Sequence, residues 1–211
     1  CATLAGCGDK APTTTPAATG DAVISADEVN ATAPEPVPTL PPSDTRWTAE
    51  VLENLLAPVA LYPDVILAQV LVASTNPQEV LDAGNWLLEN DSLEGEALDE
   101  AAQQAGFTPP IRALLQFPLV VDMMCQDLDW TADLGQAYVD DQAGVLDAAQ
   151  RLRVQAQDVG NLASSEQIEV ETVTQDNQQV VTISPPDTEV VYVPQYDPVA
   201  VYAPPPATTT T

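Results

Sequence analysis

The sequence predicts an α+β fold, mainly α: a small helical bundle followed by a C-terminal β-hairpin and edge strands. Three observations carry this expectation. Between residues 47 and 159, apolar side chains recur at the i, i+3, i+4 spacing of helices. After Ser165 the period falls to two, the mark of half-buried strands. Before Trp47 the chain is dominated by Pro, Thr and Ala and carries no such period.

The first helix begins near Trp47. Val51, Leu52, Leu55, Leu56 and Val59 share one face, and Pro58 breaks or bends the run. Tyr62-Pro63-Asp64 opens a second helix, with Pro63 suited to its first turn. Residues 65–73 are apolar on nearly every side, which predicts a central, buried helix. Asn76, Pro77 and Glu79 form a capping box for a third. Its stripe is Val80, Leu81, Gly84, Leu87 and Leu88, with Trp86 beside it.

Asp91 with Glu94 marks a further start, and Gly106 a stop. Thr108-Pro109 and Phe117-Pro118 open two short helices, and Asp129 is the expected cap of a helix from Trp130. The longest helix is expected over about 140–159, with Val145, Ala149, Leu152, Ala156 and Val159 inward. Gly160-Asn161 closes it. Ile168, Val170 and Thr172 then alternate with Glu169 and Glu171, Asp176-Asn177 turns, and residues 180–183 return. Residues 189–193 and 199–202 are the expected edge strands, since Pro194 and Pro198 cannot donate to a ladder.

This reading organises the chain as follows. Residues 1–6 are the end of a signal peptide, and 7–45 a lipidated Cys with a disordered Pro/Thr/Ala tether. Residues 46–203 are a folded domain, helical over 46–163 and β-rich over 166–203. Residues 204–211 are a disordered tail. The tether's reach lies between ~35 Å as a coil and ~115 Å as extended polyproline II.

Charge excludes some partners. The 211 residues carry 32 acids against 5 bases, a formal charge of -27. Nucleic acid and anionic lipid surfaces repel such a chain. Cations, basic proteins and salty media suit it. Hydrophobic residues make up 45% and aromatics 5%, so the core is expected to be Leu, Val, Ala and Ile. Histidine is absent, which removes the commonest general base and metal ligand.

Leu4-Ala5-Gly6-Cys7 resembles the lipobox of bacterial lipoproteins, in which the cysteine sulfur carries diacylglycerol. By that resemblance Cys7 is the lipidation site and the membrane is a partner through the anchor. Gly8, rather than Asp, follows Cys7, which by the same resemblance points to the outer membrane, facing periplasm or surface. Cys1 would leave with the signal and Cys7 become a thioether, so Cys125 would have no disulfide partner. Cys125 lies among Met123, Met124 and Leu128 and reads as a buried small apolar residue.

Three segments together resemble the bacterial envelope lipoprotein family called domain of unknown function 3300. The first is Leu55-Leu56-Ala57-Pro58-Val59-Ala60-Leu61-Tyr62-Pro63-Asp64, with Leu67-Ala68-Gln69 and Ala73-Ser74-Thr75. The second joins Phe117-Pro118, Asp127-Leu128-Asp129-Trp130-Thr131 and Asp133-Leu134-Gly135. The third is Glu189-Val190-Val191-Tyr192-Val193-Pro194-Gln195-Tyr196-Asp197-Pro198. The resemblance implies an envelope address, a helical region and a late Tyr-Val-Pro strand, with no established activity.

Two site hypotheses arise. Tyr62, Asp64, Tyr192, Tyr196, Asp197 and Tyr202 could meet in a groove for a peptide or glycan strand. The favoured alternative is that Tyr and Pro fix turns while the two aspartates cap backbone amides. Asp127, Asp129 and Asp133 are weak calcium candidates, against a plain role in capping and solvation, because the EF-hand spacing is missing. No metal and no cofactor are expected, and no catalytic constellation is present. The expected function is a membrane-tethered, non-catalytic binding or scaffold module for an envelope protein, peptide or glycan. The alternative is an envelope hydrolase using paired carboxylates.

Overall fold

A computed structural model describes residues 46–175, 178–186 and 191–204. All of them belong to the second of two units, Cys1–Pro41 and Pro42–Thr211. The expected signal end, Cys7, the tether, the Asp176-Asn177 turn, residues 189–190 and the tail from 205 onward lie outside the described residues.

Among the described residues, eight helices come first. Thr48 Oγ1 accepts from the Val51 amide and opens α1, Ala49–Leu56. Leu52 and Leu56 go inward, but Val51 is exposed, so the inward face is narrower than the sequence stripe. Pro58 has no amide hydrogen to continue the ladder, and the chain turns twice over the Leu56 carbonyl instead. α2, Asp64–Ala73, buries Ile66, Leu67, Val70, Leu71 and Ala73. It is central but not fully enclosed: Val65 and Val72 face outward, at 53% and 41% exposure.

The capping box forms at α3, Pro77–Glu89, where Asn76 Oδ1 accepts from the Glu79 amide and Asn76 Nδ2 donates to the Glu79 carboxylate. α4, Gly95–Ala105, closes on Gly106 at φ +91°, a left-handed turn that favours glycine. α5, Pro109–Leu115, and α6, Pro118–Gln126, each begin at proline. α7, Leu128–Asp140, is capped by Asp127, which accepts from the Trp130 amide at 2.9 Å. The expected cap, Asp129, instead sits inside the first turn. α8, Gln142–Asp158, is capped by Asp141.

β1, Glu169–Gln175, and β2, Gln178–Ser184, pair antiparallel with Thr172 opposite Val181. Among the described residues the sheet has these two strands. The α+β, mainly α class therefore holds, but the expected edge strands do not form as drawn. Residues 191–197 are irregular, and α9, Pro198–Val201, is one turn of helix. Asp197 accepts from the Val199 amide and Pro198 takes the first position, a start signal that overrides the strand preference of Val199 and Val201. Among the described residues no helix is long and apolar enough to cross a membrane.

The core is aliphatic, centred on Leu56, Val70, Leu71, Leu115, Met124 and Leu134. A smaller cluster of Leu61, Ala156, Leu162, Val181 and Ile183 seats the hairpin on α8. Where α7 crosses the end of α2, Gly135 lets the backbones touch: a Cβ there would stand 2.0 Å from the Ser74 carbonyl oxygen. Gly135→Ala is therefore expected to destabilise by about 2–3 kcal/mol, the upper range for overpacking, because backbone must shift. Urea unfolding checks this; an unchanged midpoint would contradict the close approach.

Candidate functional site

The sequence-expected tyrosine site is assembled around a buried arginine. Arg153 lies on α8 beside Leu152, with 1% of its side chain exposed. Nε donates to the Ala60 carbonyl at 2.8 Å, Nη2 to Tyr62 at 3.0 Å, and Nη1 to Val181 at 2.9 Å and to the Asp64 carboxylate at 2.5 Å. Four of the five guanidinium donors are thus used. Asp64 stays 46% exposed, so the carboxylate keeps water while the guanidinium does not.

Arg153 fixes the turn after α1, and that turn receives the tyrosines. Tyr196 Oη accepts from the Leu61 amide at 3.2 Å and donates to the Ala57 carbonyl at 3.0 Å. It replaces the i to i+4 bond that the turn leaves open. Tyr202 Oη donates to the same Ala57 carbonyl. The rings of Tyr62, Tyr196 and Tyr202 meet edge to face, with centroids 6.2 and 6.5 Å apart. Tyr192 is exposed and outside this set, and Asp197 caps α9. The structure brings Tyr62, Tyr196 and Tyr202 together with Asp64 nearby, and spends the Tyr196 and Tyr202 hydroxyls on backbone.

The three weak calcium candidates have separate roles. Asp127 caps α7, Asp133 pairs with Arg46 at 2.7 Å, and Asp129 is exposed. Among the described residues no group of three or more His, Cys, Asp or Glu is placed to hold a metal ion.

A different surface has the form of a binding site. A groove of about 760 Å³ opens between α3, the start of α4, the end of α5 and α6. Its floor includes Leu81, Leu98, Leu115 and Val121, and Asp91, Glu94 and Asp122 are the carboxylates in its lining. Gly84 brings α3 against α6, since a Cβ there would fall 2.6 Å from Cys125 Sγ. Gln116 Nε2 donates to the Gly95 carbonyl and ties α5 to the start of α4. Leu88 and Leu119 stand on the two flanking helices at 79% and 65% exposure. The third-helix stripe is therefore split: Val80 enters the core, joined by Ala83 from outside the stripe, while Leu81, Gly84, Leu87 and Leu88 line the groove.

The groove holds one thiol, and it is not activated. Cys125 is half-buried and its thiol donates to the Val80 carbonyl. Burial, then the nearby Asp122 charge, pushes that thiol up, the opposite of an activated nucleophile. Outside the groove, Asp99 is held low chiefly by its hydrogen bond from Arg112, and Asp140 by those from Trp47 and Gln136. A glycosidase general acid needs the opposite shift.

Burial pushes the phenols of Tyr62 and Tyr196 up, and that of Tyr202 up to about 12. A raised folded value means the native state holds its proton more tightly. This stability is complete below about pH 10, the unfolded value, and is lost as pH rises towards the folded one. The unfolding free energy is thus expected to fall from about pH 10 upward, and less steeply in Tyr196→Phe. At neutral pH that variant loses about 1–2 kcal/mol, because the Leu61 amide loses its acceptor and the Ala57 carbonyl a donor. Denaturant titrations stepped through alkaline pH check both; identical slopes would contradict the clasp.

Comparison with known proteins adds a lineage. The chain is 30% identical over 219 aligned residues to the uncharacterized protein YacH of Escherichia coli (strain K12). The alignment covers 90% of this chain and 35% of that protein, so the chain spans about a third of the relative's length. No solved structure matches. Residues 48–207 match a family model, from the cap of α1 through the groove helices and the hairpin to beyond α9. The chain belongs to the family described as "Protein of unknown function (DUF3300)".

Proposed function

We propose that this protein is a lipid-anchored component of the bacterial cell envelope, acting as a non-catalytic binding module whose binding face is the α3–α6 groove. The groove is the observation that carries this reading. Its floor is apolar, among the described residues its lining carboxylates have no basic neighbour, and its one thiol is raised rather than activated. A concave apolar surface with a few polar groups at its edge is the usual form of a binding site.

The address rests on Leu4-Ala5-Gly6-Cys7. A diacylglycerol on Cys7 would hold the acidic body beside a bilayer whose anionic headgroups would otherwise repel it. Residues 8–45 would set the stand-off, and the outer membrane is the proposed destination.

In cells expressing the natural gene, labelled palmitate is expected in the product, and Cys7→Ser is expected to remove it and release the protein from the membrane fraction. Unlabelled protein that fractionates freely would overturn the anchor.

A further inference from the structure

Building on the binding reading, we propose that the α3–α6 groove docks a basic amphipathic helix of another protein. Two features of the groove select this occupant. The first is the exposure of Leu88 on α3 and Leu119 on α6, both in the groove's lining. A small molecule confined to the buried Leu98, Leu115 and Val121 would leave most of both leucine side chains in water. A helix, roughly 10–12 Å across, spans two flanking helices and covers them, as amphipathic helices do in apolar grooves.

The second feature is charge. Asp91, Glu94 and Asp122 line the groove, and among the described residues no Lys or Arg does. The four arginines are engaged elsewhere: Arg46 with Asp133, Arg112 with Asp99, Arg151 with Glu53, and Arg153 with Asp64. Among the described residues, the groove's carboxylates therefore have no cationic partner. A segment with Lys or Arg flanking an apolar stripe supplies both what the floor and the carboxylates lack. The chain's net charge of -27 would speed its arrival.

The probe is a synthetic Leu/Lys peptide patterned as an amphipathic helix, with a scrambled peptide of equal composition as control. Calorimetry on the full chain at about 0.15 M salt is expected to show one-to-one, saturable binding of the patterned peptide. Leu88→Asn with Leu119→Asn, both at exposed positions, is expected to weaken it about tenfold or more, as hot-spot residues do. Neutralising Asp91, Glu94 and Asp122 together to their amides is expected to weaken it and to flatten its salt dependence. Asp147→Asn with Asp158→Asn, outside the groove, is expected to leave it unchanged.

Equal binding by the Leu88/Leu119 variant, or by the scrambled peptide, would overturn the proposal in favour of plain charge attraction. Nile red, an uncharged apolar probe, separates the two readings. If the dye binds and the leucine variant loses it while no peptide binds, the basic partner is overturned and the groove reading stands. If neither binds, both fall.

Discussion

The guanidinium of Arg153 is the constraint on which the polar end of the structure depends. It is buried, and it reaches four separate groups on the turn after α1, the first residue of α2 and strand β2. Leaving a buried cation without partners costs several kcal/mol, so these elements are held in one arrangement or not at all. Gln150, one turn earlier on α8, accepts from the Val181 amide at 2.8 Å. The two α8 side chains thus satisfy both backbone groups of Val181 on the edge of β2 that faces away from β1. An open strand edge invites pairing with other chains, and here α8 closes it at its middle.

The consequence runs on to the C-terminal segment. With Ala60 and Tyr62 held by Arg153, the Ala57 carbonyl and Leu61 amide face the tyrosines, and Tyr196 and Tyr202 close on them. Residues 191–204 thereby join the core without belonging to a sheet. The two surfaces that drew functional interest differ in what they leave unsatisfied. At the tyrosine clasp, rings pack on rings and the Tyr196 and Tyr202 hydroxyls meet backbone. At the α3–α6 groove, large leucines stand in water and, among the described residues, carboxylates lack cations. Unsatisfied surface is where a partner gains free energy, so the groove is the stronger candidate.

Much of the fold was legible because its signals are local. The Asn76/Glu79 box, the prolines at positions 77, 109 and 118, Gly106 as a stop and the period change after Ser165 each report on a few adjacent residues. Asp129 and residues 199–202 differ from expectation where two local signals compete: Asp127 lies two residues earlier, and Asp197-Pro198 outweighs β-branched valines. The tyrosines were grouped by likeness of motif, and Tyr62, Tyr196 and Tyr202 do gather. Their purpose depends on Arg153, which occupies an inward position that charge alone argues against. The groove was hidden because burial of Leu88 or Leu119 depends on neighbours far away in sequence, and a helix with too many leucines looks the same whether it is enclosed or open on one side.

The most direct test is amide hydrogen exchange on Arg153→Lys. Lysine keeps the charge but lacks the planar fork that reaches carbonyls and carboxylate together. The account predicts lost protection at Val181, along the hairpin and at Leu61, with the amides of α3 and α6 still protected. Native-like protection at Val181 and Leu61 in that variant would contradict it.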